Sequence, residues 1–120
     1  MADRADAGLE VLLALDGQAL VLDAKGDYWA KFIVKRVPAT PGKPHGLDYS
    51  LTLHGPYGER LVGFDNAHSV GKSKRGEPQD HMHRIDKVLP YEYRDAGSLL
   101  EAFWIEVVAT MRKRGFYEDA

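Results

Sequence analysis

The sequence predicts an α+β fold: a mostly antiparallel twisted sheet of about five to six strands, with one long C-terminal amphipathic helix packed on one face. Three observations predict it. Leu47 to His54 alternates strictly between apolar and polar residues. Gly55-Pro56-Tyr57-Gly58 follows at once, with proline second and glycine fourth, which is a β-turn signature. From Leu99 to Met111 the apolar residues recur at helical spacing.

In chain order, residues 1–8 are small and polar and are expected to fray. Two short apolar runs follow, Leu9 to Leu15 and Ala19 to Asp23, with Asp16-Gly17 between them as a hairpin signal. Lys25-Gly26-Asp27 reads as the next turn. Tyr28 to Val37 is a long strand. Its even positions Tyr28, Ala30, Phe32 and Val34 are assigned to the core; Lys31 and Lys35 share the other face with Trp29 and Ile33. The stretch 38–46 holds three prolines and two glycines, which reads as an exposed connection.

Leu47, Tyr49, Leu51 and Leu53 form one face of the alternating strand, and Asp48, Ser50, Thr52 and His54 the other. A four-residue loop would set His54 opposite Glu59, Leu51 opposite Val62, Tyr49 opposite Phe64, and Asp48 opposite Asp65. Residues 69–80 are polar, glycine-containing and basic, and read as a second exposed loop. His81 to Arg84 and Pro90 to Arg94 are short strand candidates. Asp95 suits a helix N-cap, the cations Arg112, Lys113 and Arg114 suit the last turn, and Gly115 suits the position just past it.

The 120 residues fit one domain, 1–120, and 44% hydrophobic with 28% charged residues argues against disorder along most of it. The absence of cysteine excludes disulfides, thiolate metal ligands and cysteine nucleophiles. No apolar run approaches the roughly 20 residues that span a bilayer, and the start Met1-Ala2-Asp3-Arg4 lacks a signal-peptide pattern, so a cytoplasmic protein without membrane contact is expected. A net charge of −2 gives no global attraction to nucleic acid; RNA contact would need a local basic patch.

Four of the five histidines lie between positions 54 and 83. Asp65-Asn66-Ala67-His68 follows a strand, and His81-Met82-His83-Arg84 opens the next ordered piece. His81 and His83 point the same way on a strand, towards the face expected to carry Asp65 and His54. Two chemistries fit. In metal-free phosphodiester cleavage, one histidine takes the proton of a ribose 2′-hydroxyl and another protonates the leaving oxygen. His68 and His83 are the pair for those roles, with His81 in reserve. Asp65 and Asn66 would orient them or the substrate. Arg84, Lys72, Lys74 and His54 would contact the substrate, Arg84 at phosphate. Alternatively, Asp65, His68, His81 and His83 have donor types for zinc or another divalent ion, although no cofactor is required by the first chemistry. The bland reading is solvated surface histidines, since a bare His-x-His is a weak signal. Lys72, Lys74 and Arg75 equally fit a solvated loop.

Several segments together resemble the TumE-like proteins, toxins of bacterial toxin–antitoxin pairs. They are Pro44 to Leu53, Phe64 to His68, His81 to Arg84, and Tyr91-Glu92-Tyr93 followed by the helix with Leu99, Leu100, Phe103 and Trp104. The resemblance covers about Tyr28 to Met111 and rests on order and spacing. It implies a growth-inhibiting protein neutralised by a cognate antitoxin, usually one with a helix-turn-helix. Ribonuclease activity is inferred from the histidine chemistry and from what such toxins commonly do. A non-enzymatic module binding protein or nucleic acid is the alternative, and a homodimer remains open, with Trp29 and Ile33 as an interface hint.

Overall fold

The computed structural model describes residues 6, 8–41, 43–66, 80–85 and 87–116. Among them the order is α1 (Leu9–Ala14), β1 (Ala19–Val21), β2 (Trp29–Arg36), β3 (Leu47–His54), β4 (Arg60–Asp65), β5 (Asp80–Arg84), β6 (Lys87–Tyr91) and α2 (Ala96–Lys113). All six strands form one sheet in sequence order, and every neighbouring pair is antiparallel. The predicted fold class therefore stands, with a second, short helix added.

Alternation explains the layering. Ala30, Phe32 and Val34 of β2, the odd residues Leu47 to Leu53 of β3, and Val62 and Phe64 of β4 are buried on one face. Helix α2 covers that face with Leu99, Phe103, Val107 and Met111. Phe103 meets Phe32 and Phe64 edge-on, at centroid distances of 5.6 and 6.2 Å. Helix α2 begins where expected: the Asp95 carboxylate accepts from the Ser98 N–H at 2.7 Å. It ends in a Schellman motif. Phe116 N–H donates to Met111 O and Gly115 N–H to Arg112 O, with Gly115 at φ 94°.

Three expectations need correction. Leu9 to Leu15 is not the first arm of a hairpin at Asp16-Gly17. Leu9, Leu12 and Leu13 lie one helical turn apart, so α1 buries them against the core. Asp16 instead accepts from the Val34 N–H and from Lys35 Nζ, both at 2.8 Å, and these bonds hold its carboxyl below its usual pKa. Asp6 is not loose. It accepts from Tyr93 Oη and from the Ala96 N–H, both at 2.5 Å, tying this end of the chain to the start of α2. The last strand is β6 at Lys87–Tyr91, not Pro90 to Arg94.

The register of β3 and β4 also differs. Ser50 faces Asp65, Leu51 faces Phe64 and Leu53 faces Val62, but His54 faces Arg60. The connection is longer than assumed, since Gly55 N–H closes on Glu59 O, and Leu61 is an extra residue in a β-bulge. Asp48 is therefore not opposite Asp65; it lies 3.7 Å from Lys43 Nζ. Beyond the bulge, from Val62 to Asp65, the slip from the expected pairing is two residues, so those side chains keep their predicted face.

Two tyrosine hydroxyls tie parts of the fold together: Tyr49 links β3 to β5, and Tyr93 links the segment before α2 to the segment before α1. Tyr49 Oη donates to the buried Asp80 carboxylate at 2.5 Å, and Tyr93 Oη donates to Asp6. Burial first, and the neighbouring carboxylate second, hold both phenols above the ordinary value of 10.0. A raised folded-state pKa contributes stability that is intact below about pH 10 and is lost as the pH climbs further. In an alkaline titration, Tyr49 and Tyr93 should ionise only as the far-ultraviolet circular dichroism collapses. All six tyrosines ionising with the native spectrum intact would contradict this.

Candidate functional site

The face of the sheet opposite α2 is set by the same alternation. Trp29, His54 and Arg60 form one cross-strand row, Lys31, Thr52, Gly63 and His83 a second, and Ile33, Ser50, Asp65 and His81 a third. The prediction that Asp65, His81, His83 and His54 share this face is met. The first three are brought together at its centre.

His83 is the hub. Its Nε2 lies 2.9 Å from Asp65 Oδ2, and both side chains are only 15% exposed. The contact is close but not aligned, since Nε2 finds no directed hydrogen bond among the described residues. It is an electrostatic contact. On the other side, Nδ1 lies 3.2 Å from an Arg60 guanidinium nitrogen. Arginine carries only donors, so Nδ1 accepts, and the proton of the neutral ring sits on Nε2 beside Asp65. His81 flanks the pair: its Nδ1 is 3.8 Å from Asp65 Oδ1 and its ring centroid 6.2 Å from that of His83.

Arg60 was not foreseen. A regular strand would point Arg60 to the core side along with Val62. The extra residue at Leu61 reverses this, sending Leu61 inwards and Arg60 onto the open face. Gly63 then makes room for it. A Cβ there would come within 3.1 Å of Arg60 Cδ, so the arginine stem crosses the sheet where one side chain is missing. The signal was present in the sequence: adjacent apolar residues Leu61-Val62 and a glycine inside a strand both mark a bulge or a close approach.

The other predicted residues separate. Asn66 is buried and fully committed to the backbone of β3. Its Oδ1 accepts from the Tyr49 N–H at 3.1 Å and its Nδ2 donates to Leu47 O at 2.7 Å. It extends the β3–β4 ladder by side chain and cannot orient an imidazole. Arg84 faces the opposite side, because it is one residue from His83 on β5. It holds Glu106 of α2 through two bonds of 3.0 and 3.2 Å, which raise its pKa, and the structure does not bring it to the histidines. His54 stacks on Trp29 at 4.2 Å and bonds Thr52 Oγ1 at 2.9 Å, one row from the His83 hub. His68, Lys72 and Lys74 lie outside the described residues. Among the described residues, no group of three or more histidines and carboxylates is arranged to hold a metal ion.

With this geometry in place, comparison with known families decides the identity. A family model described as Toxin TumE matches residues 19–111. The chain belongs to the TumE toxin family. It is accordingly the toxin component of a toxin–antitoxin system, with an antitoxin as partner. The match spans all six strands and nearly all of α2, and so includes Arg60, Asp65, His81 and His83; α1 precedes it. No curated protein and no solved structure matches the toxin. No helix among the described residues is long and apolar enough to cross a membrane.

Two measurements follow from this arrangement. Asn66→Ala strands a buried donor and a buried acceptor of β3, and should cost about 2–4 kcal/mol in urea unfolding. A loss below about 0.5 kcal/mol, the usual effect of a surface substitution, would show that the ladder does not need it. Nitrogen-15 spectra of the histidine rings should find neutral His83 as the Nε2–H tautomer, with its Nδ1 signal moving in Arg60→Ala. An Nδ1–H ring would refute the arrangement.

Proposed function

We propose that the toxin is a ribonuclease that cleaves RNA by histidine acid–base chemistry on the open face of the sheet. One observation carries the reading: a histidine held between a carboxylate and a guanidinium, with a second histidine one ring-spacing away. With Arg60 donating to Nδ1, the ring proton stays on Nε2 beside the Asp65 carboxylate, and Nδ1 is the basic nitrogen. Arg60 occupies that nitrogen until a phosphate arrives. The phosphate then draws the guanidinium away, which uncovers the base and neutralises the charge that develops in the transition state.

The step balances as follows. His83 Nδ1 takes the 2′-hydroxyl proton, and the 2′-oxygen bonds to phosphorus. The bond to the 5′-oxygen breaks, and that oxygen takes a proton from the second histidine. The products are a 2′,3′-cyclic phosphate and a free 5′-hydroxyl. His81 offers the second imidazole among the described residues; His68 is the other candidate. Arg60 takes the phosphate-holding role that the sequence assigned to Arg84.

A second reading has its own support. Val21, beside the Trp29–His54 stack, Ile33 of β2 and Val88 of β6 are exposed on the same face. Such a surface suits binding without turnover.

Purified toxin and its variants, incubated with RNA, discriminate these. His83→Ala should lose at least about 100-fold in rate, as loss of one acid–base group commonly does. Arg60→Ala, and one of His81→Ala and His68→Ala, should also be impaired. Wild-type rates in all four variants would exclude the chemistry. Activity should survive a chelator. Loss and recovery with one divalent ion would instead select a metal site built from Asp65, His68, His81 and His83.

A further inference from the structure

A cleft of about 730 Å³ lies on the other side of the sheet, between the β5–β6 turn and the last turn of α2. Its cationic side chains are Arg84, Lys87, Lys113 and Arg114; one carboxylate, Glu106, is among the residues that line it. Glu106 neutralises Arg84. Arg114 is steadied by Tyr28, with its guanidinium 5.8 Å from the ring centroid and a bond of 3.3 Å to the hydroxyl. Lys87, Lys113 and Arg114 therefore leave a surplus of three positive charges among the described lining residues. Asp86, between Ile85 and Lys87 in sequence, lies outside them.

The surplus is conspicuous in a chain whose net charge is −2. The helix dipole accounts for part of it, because Lys113 and Arg114 stand at the C-terminal end of α2. It does not account for Lys87, which comes from β6. Two separate elements converge their cations on one cleft, and the local positive field they make favours an anionic ligand.

We infer that this cleft binds the phosphodiester backbone of the RNA that the toxin acts on, an inference that rests on the RNA reading of the open face. The topology supplies the route. Arg84 is the neighbour of His83 on β5, and Lys87 is paired with Arg84 across the turn. A single strand crossing His81 and His83 and continuing past the β5–β6 turn meets Lys87 first and the cleft next. The contact is to phosphate and not to base, so it adds affinity and reach without sequence preference. Exposed Ile85 at the tip of the turn offers an apolar rest for one base.

The test is binding of a fluorescent single-stranded RNA to His83→Ala toxin, so that the RNA stays intact, across a salt series. Adding Lys87→Glu and Lys113→Glu should weaken binding about tenfold or more at low salt. The slope of log affinity against log salt should fall by roughly 0.7 for each cation removed. Lys25→Glu, at the exposed β1–β2 turn, is the equal-charge control for each single cleft substitution and should bind normally. Circular dichroism checks that each variant is folded. Unchanged affinity and slope in the double variant would overturn the cleft assignment while leaving the catalytic reading intact. Cleft-dependent binding by a wild-type toxin that never cleaves RNA would sink the catalytic reading alone. Loss of antitoxin binding, with RNA binding untouched, would reassign the cleft to the protein partner.

Discussion

Leu51 and Phe64 face each other across β3 and β4, both are buried in the core, and Phe64 packs edge-on against Phe103 of α2. Burying this pair fixes the parity of the whole sheet. Once the odd residues of β3 and the even residues of β5 face the helix, Ser50, Thr52, Asp65, His81 and His83 must stand on the other side. The open face is thus the complement of the core. A hydrophobic requirement on one side of the sheet positions titratable groups on the other. Moving the register by a single residue would exchange the two faces at a cost that no local interaction could offset.

The bulge at Leu61 adds a second level of control. It lets one strand break parity at a single place, so that a cation joins the histidines while an extra leucine joins the core. Arg60, Gly63, His83 and Asp65 then depend on one another. The glycine makes room for the arginine stem, the arginine fixes the tautomer, and the carboxylate faces the protonated nitrogen. Asn66 completes the frame by holding the end of β3 just past Asp65.

Parity was legible from the sequence because it depends only on which residues are apolar. The faces of β3 and of β5, the cap at Asp95 and the glycine that ends α2 all follow from local chemistry, and the structure agrees with each. Register was not legible, because it depends on the length and shape of a turn; the expected Asp48–Asp65 opposition failed for that reason. The role of Asn66 was hidden too. A polar residue beside an aspartate reads as site chemistry until its partners prove to be backbone groups seventeen and nineteen positions away. Arg84 was misassigned because adjacency in sequence means opposite sides on a strand, and α1 because the mostly apolar run Leu9 to Leu15 is too short to carry a decisive period.

Pro90 sits in β6, the outermost strand, directly across from His81. A proline has no N–H, so this edge cannot present an unbroken row of donors. At the opposite edge, β1 is only three residues long. Both margins are therefore poor templates for another strand, and the sheet resists growing into fibres by edge-to-edge stacking. That matters for a protein with exposed valines and isoleucine on one face. The apolar surface stays available for recognition, while the margins withhold the backbone pairing that would turn stickiness into polymerisation.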